Sequence, residues 1–208
     1  MGRESGKSLL SLKGVLIDFG YTIAYIDEEE DTKYRKEILV VLKKHGYGGG
    51  LGEFSPLLDD AYRNNRAGET KNMYEFWRSL LNNLNVSESS LLILDLEKMR
   101  KRYVGKTVRL YDGAPFVLSD LSKRYKLALV SNCATGLSDV IKALGLDRFF
   151  QSIILSYEIG AKKPDTRIYL KALQTLRLKP EECAFVADEI SDLEGARKVG
   201  LKTILVRQ

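Results

Sequence analysis

The stretch Val15-Leu16-Ile17-Asp18-Phe19-Gly20-Tyr21-Thr22-Ile23 constrains this chain more than any other. Gly14 is followed by Val, Leu and Ile, and the apolar run stops at a carboxylate. A short continuous apolar run suits a strand buried on both faces, as in parallel sheets. A carboxylate at the end of such a strand is costly to bury unless something uses it. In open parallel sheets, ligands bind outside the carboxyl ends of the strands. Asp18 is therefore a candidate carboxylate nucleophile. Thr22, four residues on, can return its hydroxyl to the same crevice. The same residues also read as an Asp closing the turn after a strand, so the rest of the chain has to decide between the two.

The 208 residues suit one domain, or a core with an insert. The net charge is +5, and the basic residues are scattered rather than clustered. That balance favours anionic substrates and implies no nucleic acid. Cys133 and Cys183 lie far apart in apolar contexts, so a reducing, cytoplasmic compartment is expected. No apolar run is long enough to span a membrane, and no secretory signal is expected. Gly2-Arg3-Glu4-Ser5-Gly6-Lys7-Ser8 imitates a phosphate-binding loop. It has three residues between its glycines where the motif needs four, and it follows no strand, so a flexible tail is expected there.

Along the chain, the acidic run Asp27 to Asp31 suits a helix start. Ile38, Leu39, Val41 and Leu42 continue that helix to His45-Gly46, where His45 reads as a C-terminal helix residue and not as a ligand or base. Gly48 to Gly52 reads as a loop. Segments near 55–66, 72–84 and 87–103 carry helical apolar spacing, and Ser87-Glu88-Ser89-Ser90 supplies cap chemistry for the last. Residues 27–106 thus form a helical block. Beyond it, helices are expected over 115–125, 135–144, 165–178 and 192–199. They alternate with strands 127–130, 152–155, 183–187 and 203–206. Strands alternating with helices imply βαβ units and a parallel sheet covered on both faces. The helical block is an insert after the first strand.

Four strands end in polar residues that would meet at one sheet edge. These are Asp18 with Thr22, Ser131 with Asn132, the Lys162-Lys163-Pro164 turn, and Asp188 with Asp192. Two carboxylates, a cation and hydroxyls suit Mg²⁺ and a phosphoryl group, because Mg²⁺ prefers one or two carboxylates and keeps several waters. Asp18, Asp188 and the carbonyl of Gly20 are the candidate metal ligands. Lys163 would neutralise developing charge, while Thr22, Ser131 and Asn132 would contact phosphoryl oxygens. Lys162 reads as a solvated neighbour, and Asp192 as either a further site residue or a helix cap. Cys133 reads as a small filler.

Taken in order, these segments resemble the haloacid dehalogenase (HAD) superfamily, in the branch with a helical cap inserted after the first strand. The resembling segments are Asp18-Phe19-Gly20-Tyr21-Thr22, Leu129-Val130-Ser131-Asn132, Lys163-Pro164 with Ile168-Tyr169, and Asp188-Glu189-Ile190-Ser191-Asp192 with Gly195 and Gly200. The resemblance implies an α/β fold: a Rossmann-like doubly wound parallel sheet core over residues 1–26 and 107–208, with an α-helical cap domain over 27–106. It implies a Mg²⁺-dependent phosphatase that hydrolyses a small phosphorylated metabolite through a phospho-Asp18 intermediate. The expected catalytic residues are Asp18, Thr22, Ser131 and Lys163. No nucleic acid or membrane partner is expected, and the molecule is a monomer or homodimer.

One position departs from the family's phosphatases. They carry a second Asp two residues after the nucleophile, as general acid and base, and here Gly20 stands there. Slow or atypical turnover is expected, favouring aryl or acyl phosphates whose leaving groups need little protonation. Tyr21, Asp27 and Glu28 are candidate substitutes for that acid. Two alternatives follow from the same residue. One is a 2-haloacid dehalogenase-type hydrolase, against which Asp188 argues, since those enzymes carry Ser there. The other is a protein that keeps the fold and binds a ligand or partner with little turnover. In the cap, Tyr62, Arg63 and Arg66 are candidates for gripping an anionic substrate, with Arg35 behind them.

Overall fold

The computed structural model describes residues 12–207, so the glycine-rich segment Gly2 to Ser8 lies outside the described residues. The chain runs β1 (Gly14–Ile17), β2 (Ala24–Ile26), then four helices: α1 (Glu28–Lys44), α2 (Leu51–Asn64), α3 (Met73–Asn83) and α4 (Ser90–Tyr103). It returns through β3 (Val108–Leu110), α5 (Ala114–Arg124), β4 (Lys126–Ser131), α6 (Leu137–Ala143), β5 (Ser152–Leu155) and the single turn α7 (Ser156–Ile159). It ends with α8 (Thr166–Leu176), β6 (Cys183–Ala187), α9 (Ile190–Lys198) and β7 (Lys202–Leu205).

Five strands form a parallel sheet in the order β5-β4-β1-β6-β7. The first strand is central, so the chain builds outward on one side and then returns to build on the other. Such a reversal leaves a crevice at the carboxyl ends of the central strands. Alternation of side chains along β1 feeds both faces. Leu16 joins Val130, Ile168, Tyr169 and Phe185 on the face covered by α8 and α9. Val15 and Ile17 join Leu118, Leu129 and Ile141 on the face covered by α5 and α6.

The four inserted helices pack around a core of their own. Ile38, Leu42, Phe54, Leu58, Trp77, Leu80, Leu92 and Leu96 have no exposed surface and form its centre. Their starts are capped as the sequence suggests: Asp27 accepts from the Glu30 amide at 3.1 Å, and Ser89 accepts from the Leu92 amide at 3.1 Å. The antiparallel pair β2–β3 joins this unit to the sheet, with Tyr25 opposite Arg109. That pair was not legible, because three-residue strands carry too little periodicity.

Several boundaries differ from the sequence reading. Helix α2 begins at Leu51, inside the expected glycine loop. Glu53 accepts from the Gly50 amide at 2.9 Å, which starts the helix a turn ahead of Pro56. Helix α6 begins at Leu137 and not at 135, because Gly136 turns with a φ of +100° and Thr135 is held by the helical unit. Asp192 is not the cap of α9. The cap position is Glu189, and Asp192 lies buried within the first turn.

None of the described helices is long and apolar enough to cross a membrane. Leu16→Ala, at the sheet centre, should cost ~2–5 kcal/mol of stability in urea unfolding. Val40→Ala, on the exposed side of α1, should shift it by less than ~0.5 kcal/mol.

Candidate active site

The carboxyl ends of β1, β4 and β6 meet as the pairing demands. Ile17 lies opposite Leu129 on one side and Val186 on the other, so Asp18 and Asp188 sit just past the paired region, and Ser131 closes β4 opposite Leu155. Asp18 is anchored by its own amide, which donates to the Val186 carbonyl at 2.9 Å.

Lys163 ties the site together. Its ammonium lies 2.6 Å from Asp18 Oδ1 and 2.8 Å from Asp192 Oδ2, with a side chain only 2% exposed. The Phe185 ring lies beneath it, 5.4 Å from Nζ to the ring centre. Asp18 Oδ1 also accepts from the Phe19 amide at 2.7 Å. Burial pushes the Asp18 carboxyl above its ordinary value, and the Lys163 charge and these hydrogen bonds pull against that shift. Without Lys163 the two carboxylates would face each other with no compensating charge, an arrangement that costs several kcal/mol per buried ion.

Three packing features hold Lys163 in place. Asn132 grips its main chain at both ends: Nδ2 donates to the Lys163 carbonyl at 3.0 Å, and Oδ1 accepts from the Lys163 amide at 2.7 Å. Tyr169 donates from its hydroxyl to the Asp192 carbonyl at 2.7 Å, fixing the start of α9. Gly195 lets α9 lie against the Lys163-Pro164 turn, since a Cβ there would stand 2.5 Å from the Pro164 carbonyl oxygen.

Thr22 donates from its hydroxyl to Asp188 Oδ1 at 3.3 Å, which brings the first and fourth motifs together. Tyr21, between Gly20 and Thr22, takes a φ of 53°, and its amide donates to the Ala24 carbonyl at 2.7 Å. A non-glycine residue in this region is uncommon and recurs at functional turns. Gly20 itself is open: a Cβ there would meet nothing within 4 Å. Lys162 is exposed, as expected for a neighbour of the working lysine.

One cavity of about 600 Å³ lies between the sheet edge and the helical unit, and Thr22 is not among the residues that line it. Asp18, Gly20, Tyr21, Ser131, Asn132, Lys163, Asp188 and Asp192 form its floor. Tyr34, Arg35, Tyr62, Arg63, Arg66 and Arg100 contribute from the helices. The candidate acids are disposed differently. Asp27 is paired with Arg109 at 2.7 Å, which holds its carboxyl below the usual range. Glu28 is exposed and lines a second cleft with Tyr21, Tyr25, Ile26 and Tyr111.

The cap cations are also largely committed. Arg35 binds Asp31 and Asp59, each at 2.6 Å, and the Ser55 carbonyl at 3.2 Å, stapling α1 to α2. Arg63 pairs with Asp60 at 2.7 Å on the surface. Arg66 is exposed at the cavity. Arg100, which the sequence reading missed, is buried and bridges Glu97 and Asp139 at 2.6 and 2.8 Å, crossing from α4 to α6. One arginine among Arg100, Lys101 and Arg102 in a last helical turn gives no sign of such a partner.

The donor set suits a hard cation. Asp18 and Asp188 stand at the ends of adjacent strands with the Gly20 main chain beside them, and Mg²⁺ takes carboxylate, carbonyl and water oxygens. Among the described residues no group of three His, Cys, Asp or Glu side chains converges as a metal cage. Cys133 and Cys183 are buried, and burial pushes their thiols up to about 12 and about 11.

Residues 67–206 match the family described as haloacid dehalogenase-like hydrolase. The chain belongs to that family. A glyceraldehyde 3-phosphate phosphatase from Methanopyrus kandleri is 32% identical over 99 residues, which make up 47% of this chain and 42% of that protein. The chain matches about half or less of the length of its curated relatives. Two solved structures share the fold, each with a TM-score of 0.71. A HAD phosphatase from Thermococcus onnurineus is 22% identical, with 94% of this chain and 86% of that chain covered. A 2-haloacid dehalogenase from Pseudomonas syringae is 17% identical, with 93% and 86% covered.

Two outcomes check this geometry. Gly195→Ala should destabilise the protein by ~1–3 kcal/mol in urea unfolding through overpacking against Pro164, whereas Gly20→Ala should leave stability almost unchanged. At pH 8, neither cysteine should react with 5,5′-dithiobis(2-nitrobenzoate) in the folded protein, because the thiolate is the reactive form. Both should react after unfolding in guanidinium chloride.

Proposed function

We propose that this chain is a Mg²⁺-dependent phosphomonoester hydrolase working through a phospho-Asp18 intermediate. The observation that carries this reading is the Lys163 ammonium bound between Asp18 and Asp192, beside a second strand-end carboxylate, Asp188. A carboxylate meant to attack needs to be charged yet dry, and Lys163 supplies the charge that makes both conditions compatible. An acidic residue at 188 also favours a cation over a free-standing nucleophile, and so favours phosphoryl over haloacid chemistry.

In this mechanism Asp18 attacks phosphorus. An Asp18 oxygen–phosphorus bond forms as the bond to the leaving oxygen breaks, and water then cleaves the acyl phosphate. The Lys163 and Phe19 contacts both fall on Oδ1, which leaves Oδ2 to attack. The Ser131 hydroxyl donates to a phosphoryl oxygen, the Thr22 hydroxyl is spent on orienting Asp188, and Lys163 balances the growing phosphoryl charge. Asn132 acts one step back, by orienting the Lys163 main chain. A magnesium ion held by Asp18, Asp188 and the Gly20 carbonyl would neutralise phosphoryl charge. The helical unit, residues 27–106, serves as a cap over the core, whose described residues are 12–26 and 107–207.

The leaving group is the restrictive step. A Cβ at Gly20 would meet nothing within 4 Å, and Asp31 and Asp59 are held by Arg35. A positioned general acid is worth ~10²–10⁴-fold. The enzyme should therefore favour aryl or acyl phosphates, whose leaving oxygens need little protonation.

The test is hydrolysis of p-nitrophenyl phosphate with Mg²⁺ and with EDTA, beside chloride release from 2-chloropropionate. Turnover should need the metal and vanish in Asp18→Asn, with no chloride released. Metal-independent halide release would sink the proposal. Absence of any phosphate turnover with Mg²⁺ still bound would favour a binding protein. Gly20→Asp should raise hydrolysis of alkyl phosphates toward the ~10²–10⁴-fold range of a positioned acid, and its rate on aryl phosphates should change much less.

A further inference from the structure

The helical side of the cavity carries two tyrosine hydroxyls that share one hydrogen bond. Tyr34 on α1 and Tyr62 on α2 bring their oxygens to 3.2 Å. Their rings are fixed by other aromatics: Tyr34 against Tyr103 with centres 5.4 Å apart, and Tyr62 stacked on Phe76 at 4.7 Å. Both residues line the cavity that contains Asp18, Ser131 and Lys163. Two hydroxyls carry two protons, and one proton serves the bond between them. The second has no acceptor among the described residues. A buried phenol finds a hydrogen-bond partner when one is offered, so the pair presents a donor and a spare lone pair toward the cavity.

The surrounding charges decide what kind of oxygen suits that pair. Arg35 faces two carboxylates, Asp31 and Asp59, and Arg100 faces two more, Glu97 and Asp139. Each guanidinium is therefore already matched by two carboxylates, so neither has charge to spare for an anionic group beside the tyrosines. A carboxylate placed there would lose water without gaining a cation of its own. Arg63, paired with Asp60, and Arg66 are the exposed cations of the wall, where solvent and salt screen them.

We infer that Tyr34 and Tyr62 form the subsite for the far end of the phosphorylated substrate, and that this end is a neutral oxygen, a hydroxyl or a carbonyl, and not a carboxylate. This rests on the phosphohydrolase reading above. A hydroxyl accepts the free phenolic proton and donates back to the other oxygen, completing the pair.

Calorimetric binding of uncleavable phosphonates, with Mg²⁺ present, tests the subsite without relying on turnover. The probes are 3,4-dihydroxybutylphosphonate with a diol tail, 3-phosphonopropionate with a carboxylate tail, and propylphosphonate with neither. The diol should bind about tenfold tighter than propylphosphonate, the worth of one good hydrogen bond. The carboxylate should gain nothing. Tyr34→Phe and Tyr62→Phe, which keep the packed rings, should each remove most of the diol's advantage over propylphosphonate measured in the same variant. Equal binding of the diol and propylphosphonate, tighter binding of the carboxylate, or a diol preference that survives both substitutions would overturn the subsite alone. Failure of all three phosphonates to bind would overturn the phosphate reading and the subsite with it.

Discussion

One ammonium group carries the architecture of the sheet edge. Lys163 stands between two buried carboxylates and supplies the opposite charge that offsets their burial. The neighbouring residues fix where that ammonium lies. The side-chain amide of Asn132 holds its main chain, Tyr169 holds the turn that presents Asp192, Phe185 lies beneath it, and Gly195 gives the turn room. Most of the small-residue and aromatic choices in this part of the sequence answer to that one charge.

The sheet supplies the convergence and the inserted helices supply enclosure. Parallel pairing of the first strand with β4 and β6 brings three polar strand ends level without any long-range side-chain steering. The inserted unit has a core independent of the sheet, so its relation to the site runs through few groups. They include polar contacts, in which Asn65 donates from Nδ2 to the Thr135 hydroxyl at 3.2 Å and Arg100 reaches Asp139, and close packing of Met73 beside Gly136 and of Gly68 on the Tyr157 main chain.

The fold was legible because its signals are local. Apolar strands ending in polar residues, and helices closed by glycine, survive in the sequence whatever the tertiary context. Strands 152–155 and 183–187 were placed to the residue for that reason. Asp18, Ser131 and Asp188 could be read as one group, because each ends a strand or opens the turn after it, whereas Lys163 follows β5 only after the helical turn α7 and was read from its place before Pro164. The role of the Asn132 amide could not be read, since a side chain beside a candidate phosphate-binding serine looks like a phosphate ligand until its partner is seen. Arg35, Arg63 and Arg100 show the same limit. An arginine's reach hides whether its charge meets a substrate or a neighbouring carboxylate, and only the fold reveals the carboxylates. The β2–β3 ribbon and the early start of α2 were missed because three residues, or a glycine run ending at Leu51, carry too little pattern.

The junction between the two units has a mechanical side. Thr135 and Asp139, which receive Asn65 and Arg100 from the helices, lie on the segment that begins with Asn132. That segment is short, and its first residue is the clamp on the lysine turn. Tilting the helical unit therefore applies a load to the same piece of backbone that sets the lysine's position. The helical unit and the lysine turn thus hold one short piece of backbone from two ends, the first through Asn65 and Arg100 and the second through the Asn132 amide.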